Sequence, residues 1–221
     1  MRKKNTVSVS VIIPVYNQEL YIGRCLRSLL DQSLDREQYE IIIIDDGSKD
    51  KTSEILKTYK DEIELIKNKR NKGLPYSLNR GIKASKGRFI VRVDSDDYVN
   101  KEFLKYLQMH LLYNNEMHAI CCDYYLVDDQ ENIIKKVNSM DNPIGCAIMF
   151  RLEHLIKIGM YDKSFNVHED KDLRIRFLRK FSINRVALPL YRYRRHANNI
   201  TRDGEKMMKH YKRFLKKYKK I

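Results

Sequence analysis

Glu40-Ile41-Ile42-Ile43-Ile44-Asp45-Asp46-Gly47-Ser48 is apolar at every position after Glu40 and then breaks into an acidic turn. A half-exposed strand alternates apolar and polar residues. A continuous apolar run suits a strand of a parallel sheet that is covered on both faces. Upstream, Val7-Ser8-Val9-Ser10-Val11-Ile12-Ile13 begins in alternation, ends apolar and reads as a buried first strand. Pro14-Val15-Tyr16-Asn17 closes it, with Asn17 placed to cap a helix bearing Ile22, Leu26, Leu29 and Leu30 on one face. Downstream, Asp50 is placed to cap a helix carrying Ile55, Leu56 and Tyr59, and residues 63–66 form a third strand. Leu74, Leu78 and Ile82 recur every four residues and mark a helix that ends near Gly87; residues 89–93 make a fourth strand. Strands alternating with helices predict right-handed βαβ units: an α/β fold with a Rossmann-like, mostly parallel sheet and helices on both faces.

The pattern changes after residue 100. A helix over 101–114 is followed by strand-like segments at 119–127 and 133–137, a smaller α+β half over 101–204 added to the first half over 1–100. Residues 205–221 form a separate basic tail. The 221 residues are 43% hydrophobic, enough for a sizeable core, and no stretch approaches 18 uninterrupted apolar residues. The basic start, Met1-Arg2-Lys3-Lys4-Asn5-Thr6, leads into the first strand with no cleavage site of small residues, so it does not read as a signal peptide. Cys25, Cys121, Cys122 and Cys146 show no CxxC spacing and read as reduced, mostly buried thiols of a cytoplasmic protein.

Val93-Asp94-Ser95-Asp96-Asp97 ends the fourth strand with three carboxylates in four residues. Such groups repel one another and raise one another's pKa unless a cation sits among them. A polar turn with a helix cap is the plainer reading; a site for a hard cation that shares its oxygen ligands with phosphate is the sharper one. Functional groups of open α/β sheets collect at the carboxyl ends of the strands. Pro14-Val15-Tyr16-Asn17, Asp45-Asp46-Gly47-Ser48 and Asp94-Ser95-Asp96-Asp97 all follow strands, so three polar clusters are expected to meet at one ligand site. The net charge of +15 also fits a nucleic-acid binder, but acidic clusters at strand ends would repel phosphate without a metal. A receiver-type signalling domain carries its acidic pair after the first strand, whereas Asp45-Asp46 follows the second. A nucleotidyltransferase would need a Gly-rich phosphate loop after the first strand, which is absent.

The chain resembles a family 2 glycosyltransferase of the GT-A fold over residues 7–202. The matching segments are those three clusters, Asn71-Lys72-Gly73, Leu78-Asn79-Arg80-Gly81-Ile82, Gly87-Arg88-Phe89-Ile90, Gly159-Met160-Tyr161-Asp162, Glu169-Asp170-Lys171-Asp172-Leu173 and Tyr193-Arg194-Arg195-His196. Their joint order and spacing is what is specific. The resemblance implies a nucleoside diphosphate sugar donor, UDP-linked by preference, bound with Mg²⁺ or Mn²⁺ in the 1–100 half. A glycan or lipid-linked sugar acceptor would bind in the 101–204 half. By the same resemblance Asp46, or its neighbour Asp45, accepts a hydrogen bond from uracil, while Pro14 and Tyr16 line the base pocket. Asn17, Asn71, Gly73, Asn79, Ser95 and Arg194 join the donor site. Asp96 binds the metal, Asp94 faces the ribose or the metal's water shell, Asp97 orients the others, and His196 reaches the metal or the diphosphate. In the Glu169-Asp170 pair, Asp170 is the expected base that deprotonates the acceptor hydroxyl, in one displacement with inversion.

Two departures stand out. Many relatives carry an Arg-Asn pair where this chain has Leu78-Asn79-Arg80, and Gly159-Met160-Tyr161 replaces a Gly-Gly-aromatic turn. The processive-synthase signature Gln-x-x-Arg-Trp is missing and the chain has no Trp, so a single transfer is expected.

Eight cations against Glu205 give the tail a net charge of +7. Its apolar residues Met207, Met208, Tyr211, Phe214, Leu215, Tyr218 and Ile221 fall on one helical stripe. It reads either as a last helix packed on the domain or as a helix on an anionic membrane surface, which would place the protein peripherally on the inner face of the cytoplasmic membrane.

Overall fold

The computed structural model describes residues 7–165 and 167–196 and, in the C-terminal segment, residues 211, 214, 215, 217 and 218. β1 (Val9–Val15), β2 (Tyr39–Asp45), β3 (Glu64–Lys67) and β4 (Phe89–Arg92) run parallel in the spatial order β3-β2-β1-β4. Their crossovers contain α1 (Ile22–Leu30), α2 (Thr52–Lys57) and α3 (Leu74–Ala84). The apolar runs feed two cores. Val9, Val11, Ile13 and Val15 of β1, with Ile41 and Ile43 of β2, face α1 and α2. Ile12, Ile42 and Ile44 face Leu78 and Ile82 of α3. This is why β2 shows no alternation: both faces are dry. Gly81 lets α3 lie close to the sheet, since a Cβ there would stand 2.6 Å from side-chain atoms of both Ile12 and Ile44.

The later half comprises β5 (Tyr98–Val99), α4 (Phe103–Tyr113), β6 (Ala119–Val127), β7 (Ile133–Val137), β8 (Ile148–Arg151), α5 (Leu152–Lys157), α6 (Glu169–Leu178) and β9 (Ile183–Arg194). It does not form a sheet of its own. The order continues β4-β8-β6-β9-β5, with β7 on β6, so one sheet runs through both halves. β8 is antiparallel to β4 and to β6, and β9 is parallel to β6. β6 and β9 therefore point the same way as β4, and their carboxyl ends reach the edge where β1, β2 and β4 end. α4 covers the first core, while α5 and α6 cover the second through Leu155, Leu173 and Phe177.

Two local expectations need correction. Asn17 does not cap α1, which begins after Tyr21. Asn17 takes a left-handed backbone (φ 52°). Its amide donates to Ser48 Oγ at 3.0 Å, and its Oδ1 accepts from Lys49 N at 2.8 Å. It thus ties the first strand-end cluster to the second. The later half also holds a strand beyond those expected at 119–127 and 133–137: Tyr193 and Arg194 end the 12-residue β9, with Arg195 and His196 just after it. That strand is hidden in the sequence by Pro189, which lacks an N–H and sits where the β6–β9 register shifts. The four cysteines are buried and free, as expected.

Candidate active site

The acidic cluster after β4 is held by residues from three places. Arg92, the last residue of β4, grips Asp94 with Nε at 2.6 Å and Nη2 at 3.1 Å, and its Nη1 donates to Glu169 at 3.0 Å. Strand parity explains the pairing. Phe89, Val91 and Val93 belong to the first core and Ile90 to the second, so Arg92 and Asp94 share the side on which α6 packs. The other two partners come from β9 and the residues just after it. Arg194 donates from its backbone N to Asp97 Oδ1 at 2.8 Å and from Nε to the Asp96 carbonyl at 3.0 Å. His196 Nε2 lies 2.8 Å from Asp96 Oδ2. Tyr191, fully buried, donates to Asp97 Oδ2 at 2.7 Å and accepts from Asp94 N at 3.1 Å. β9 thus touches all three aspartates.

The three carboxylates differ in kind. Asp97 is buried; desolvation, then Asp96 and Asp94, push its pKa well above the usual carboxylate range, and its two oxygens tie the loop to β9 by accepting from Tyr191 OH and Arg194 N. Asp94 is spent on Arg92. Asp96 is paired with a histidine at the open edge, its side chain 18% exposed. The 2.8 Å between the Asp96 oxygen and the His196 nitrogen is close to the ~3 Å that adjacent ligands of an octahedral ion keep at ~2.1 Å bond lengths. One carboxylate oxygen and one imidazole nitrogen could therefore hold a divalent cation with water or phosphate completing the shell. Asp94, Asp97 and the Cys146 thiol also gather within 4.8 Å. Burial pushes both Cys146 and Asp97 up, and both Asp97 oxygens already accept from Tyr191 OH and the Arg194 backbone N. Ser95 is buried between these groups.

At the ends of β1 and β2, Tyr16 is exposed and Pro14 is buried within its strand. Asp46, 3% exposed, accepts from Asn68 Nδ2 (2.6 Å), Lys72 N (2.9 Å) and Gly73 N (2.8 Å). Asp45 accepts from Ser48 N and Ser53 Oγ. Both carboxylates expected at the uracil ring thus already accept from protein donors. Asp46 holds the loop of Asn71 and Gly73, where Asn71 Oδ1 also accepts from Gly73 N at 3.0 Å. Two further expectations are corrected. Asn79 spends its amide on the Tyr161 backbone, donating to the carbonyl at 2.7 Å and accepting from N at 2.9 Å, so it clamps α3 to the later half rather than meeting a donor. Arg194 is 3% exposed and also donates to the Asp129 carbonyl (3.1 Å) and Glu131 (3.0 Å), which takes its guanidinium away from a phosphate; Arg195 is the exposed one of the two.

Glu169 and Asp170 open α6, where carboxylates suit the positive end of the helix dipole. Glu169 is buried; desolvation raises its pKa to about 7 despite Arg92. Asp170 is the half-buried, more accessible member. Gly145 makes the approach possible: a Cβ there would stand 2.8 Å from Asp170 Cβ and 2.9 Å from Arg92 Nη1. The chain of contacts Asp94–Arg92–Glu169 joins the strand-end cluster to the acidic pair across 75 residues of sequence. Arg92, Tyr191 and Gly145 were not singled out in the sequence. Only Arg92 left a signal there, as an arginine inside an apolar strand with the parity of Asp94.

Of the tail stripe, Met207, Met208 and Ile221 lie outside the described residues. Those described turn onto α6. Lys217 Nζ donates to Asp172 (2.6 Å) and Asp162 (2.9 Å), Tyr218 OH donates to Asp172 (2.6 Å), and Phe214 packs edge-on to Phe165 with ring centres 6.3 Å apart.

The model of glycosyl transferase family 2 matches residues 10–186. An uncharacterized glycosyltransferase of Rickettsia typhi is 32% identical over 243 residues, covering 99% of this chain and 75% of that protein. A poly(ribitol-phosphate) beta-glucosyltransferase of Bacillus spizizenii is 44% identical over 102 residues, 44% of this chain and 16% of that protein. The crystal structure of residues 1–349 of Staphylococcus aureus TarS in complex with UDP-GlcNAc superposes with a TM-score of 0.76 at 22% identity, covering 90% of this chain and 61% of that one. This chain thus spans most of the first relative but a small part of the second, and its mixed, curled sheet is that of the GT-A transferases. With the family model covering most of the sequence, the chain belongs to glycosyl transferase family 2.

Proposed function

We propose that the protein transfers one sugar from a UDP-linked donor to an acceptor hydroxyl by a metal-dependent single displacement with inversion, in the synthesis of a cell-surface glycan. The observation that carries this is the pairing of Asp96 with His196 at the sheet edge, linked through Asp94, Arg92 and Glu169 to Asp170. The donor diphosphate lies against Asp96 and His196, with the base over Tyr16 and the loop of Asn71 and Gly73 that Asp46 holds. A carboxylate and an imidazole together favour Mn²⁺ over Mg²⁺, because nitrogen ligands suit the later ion better. Such an ion would bridge the diphosphate and neutralise the charge that grows on the departing UDP.

Asp170 is the base. It takes the acceptor's hydroxyl proton as the new C–O bond forms and the bond from the anomeric carbon to the phosphate oxygen breaks, a role worth ~10²–10⁴-fold. Its partial exposure lets it meet an acceptor, which buried Glu169 cannot; Glu169 is a positioning residue acting through Arg92. The acceptor is a glycan or lipid-linked sugar; the poly(ribitol-phosphate) named for the Bacillus relative is a polyol-phosphate polymer and shares with that class only its hydroxyl groups. An anionic membrane surface is a further proposed partner of the 205–221 tail. Because the described rings of that tail pack on the domain, such binding would rest on charge rather than on their insertion.

The test is a calorimetric screen of nucleoside diphosphate sugars with and without Mn²⁺, followed by transfer assays. UDP sugars should bind only with the metal. Asp96→Asn should lose that metal-dependent binding, whereas Asp170→Asn should keep UDP binding and lose transfer by ~10²-fold or more. Failure of every nucleotide sugar to bind in Mn²⁺ would end this reading.

A further inference from the structure

The metal pair is supported from behind by the tip of the β6–β7 hairpin, residues 128–132, delivered to this edge because β6 runs parallel to β9. Asp128 shapes the tip by accepting from Asn132 N at 2.8 Å. Two side chains then reach out from it. Asp129 Oδ1 accepts from Tyr21 OH at 3.0 Å, and the Glu131 carboxylate accepts from Arg24 Nε at 3.1 Å and Arg194 Nη2 at 3.0 Å. The Tyr21 ring lies against the His196 imidazole, ring centres 4.8 Å apart at 34°. The Arg194 guanidinium stands 5.1 Å from the centre of the same Tyr21 ring and holds the Asp96 carbonyl at 3.0 Å. Each member of the pair therefore has one support that traces back to the hairpin: His196 through Tyr21, and Asp96 through Arg194.

We propose that the β6–β7 tip, acting through Tyr21 and Arg194, is a positioning device that holds the His196 imidazole beside Asp96 and thereby sets the affinity for the divalent cation. This rests on the metal-dependent reading above. His196 follows the end of β9 and is 3% exposed, and the Tyr21 face is one of the surfaces that fix its ring orientation before a cation arrives. Supporting groups of this kind orient metal ligands and tune affinity by ~10–100-fold. An aromatic contact contributes the lower part of that range.

Mn²⁺ affinity in the presence of UDP, read from the electron paramagnetic resonance signal of free Mn²⁺, tests this without any transfer assay. Tyr21→Leu should weaken Mn²⁺ binding about tenfold. Tyr21→Phe keeps the ring but cuts its bond to Asp129 of the tip, and should weaken Mn²⁺ binding by roughly threefold, between wild type and Tyr21→Leu. Glu131→Gln should weaken Mn²⁺ binding by roughly threefold, because both arginines lose their charged partner. His196→Ala and Asp96→Asn, as controls, should abolish Mn²⁺ binding. Wild-type Mn²⁺ affinity in Tyr21→Leu, with both controls negative, overturns the hairpin's role and leaves the metal reading intact. Wild-type Mn²⁺ affinity in Tyr21→Phe would also overturn it, by showing that the link from Tyr21 to the hairpin tip carries nothing. Unchanged Mn²⁺ affinity in His196→Ala would instead overturn the metal reading, and this inference with it.

Discussion

Arg92 is the residue on which the site turns. It is a largely buried cation between two carboxylates, 2.6 Å from Asp94 and 3.0 Å from Glu169. Removing it would leave both acids without their partner in a desolvated place, which costs ~3–5 kcal/mol in comparable pairs. Arg92→Ala should therefore lower the urea midpoint strongly, while Arg92→Lys, a point charge in place of a fork, should recover charge but not the two-sided geometry. Glu169 gives a pH signature. Burial lifts it from 4.5 to about 7, so the folded state binds its proton more tightly than the unfolded state. Its contribution to stability is complete below about pH 4.5 and is lost as pH rises through 7. Against a Glu169→Gln variant, the wild type should lose relative stability between pH 5 and pH 8 in urea titrations. The same difference at both pH values would contradict the assignment.

Among the elements, α6 is the most heavily anchored. Asp172, fully buried two residues after Asp170, accepts from Arg176 at 2.8 Å within the helix and from Lys217 and Tyr218 of the C-terminal segment. Arg176 in turn donates to the carbonyls of Ile158 and Met160, binding the preceding loop. Lys217→Ala should cost about 1–2 kcal/mol, since one donor to a buried carboxylate is lost while Arg176 remains. Thermal unfolding measures this, and an unchanged midpoint would mean the segment is not docked in solution. The apolar periodicity of this tail was plain in the sequence, but a stripe of Tyr, Phe and Leu suits a protein face as well as a lipid one. The buried Asp172 that receives Lys217 is what favours the protein face, and nothing in the one-dimensional pattern marked that aspartate as buried.

At the scale of the whole molecule, the two halves read from the change of pattern near residue 100 share one sheet. The parallel half was legible because four strands each carried a local signature, an apolar run closed by a polar cluster. The later half was less so. β5 is only two residues long, and β9 is interrupted by Pro189 and carries exposed Leu188, so neither presents a regular period. Yet β9 is the strand that brings Tyr191, Arg194 and His196 to the aspartates. Asp96 and His196 were each recognisable as site residues from their motifs. Asn79, Asp46 and Arg194 were recognisable as polar residues in the right segments, but their hydrogen bonds turn inward, to Tyr161, to the loop of Gly73 and to Glu131.

The sequence by itself determined the parallel α/β half, the carboxyl edge where the polar clusters meet, and the acidic residues gathered there. Those follow from local rules: side-chain period, turn chemistry and the mutual repulsion of neighbouring carboxylates. Only the tertiary structure decided which charge answers which. Arg92 reaches Glu169 across 77 positions and His196 reaches Asp96 across 100. Such pairings depend on strand direction and register summed over the whole sheet, and no local period records them.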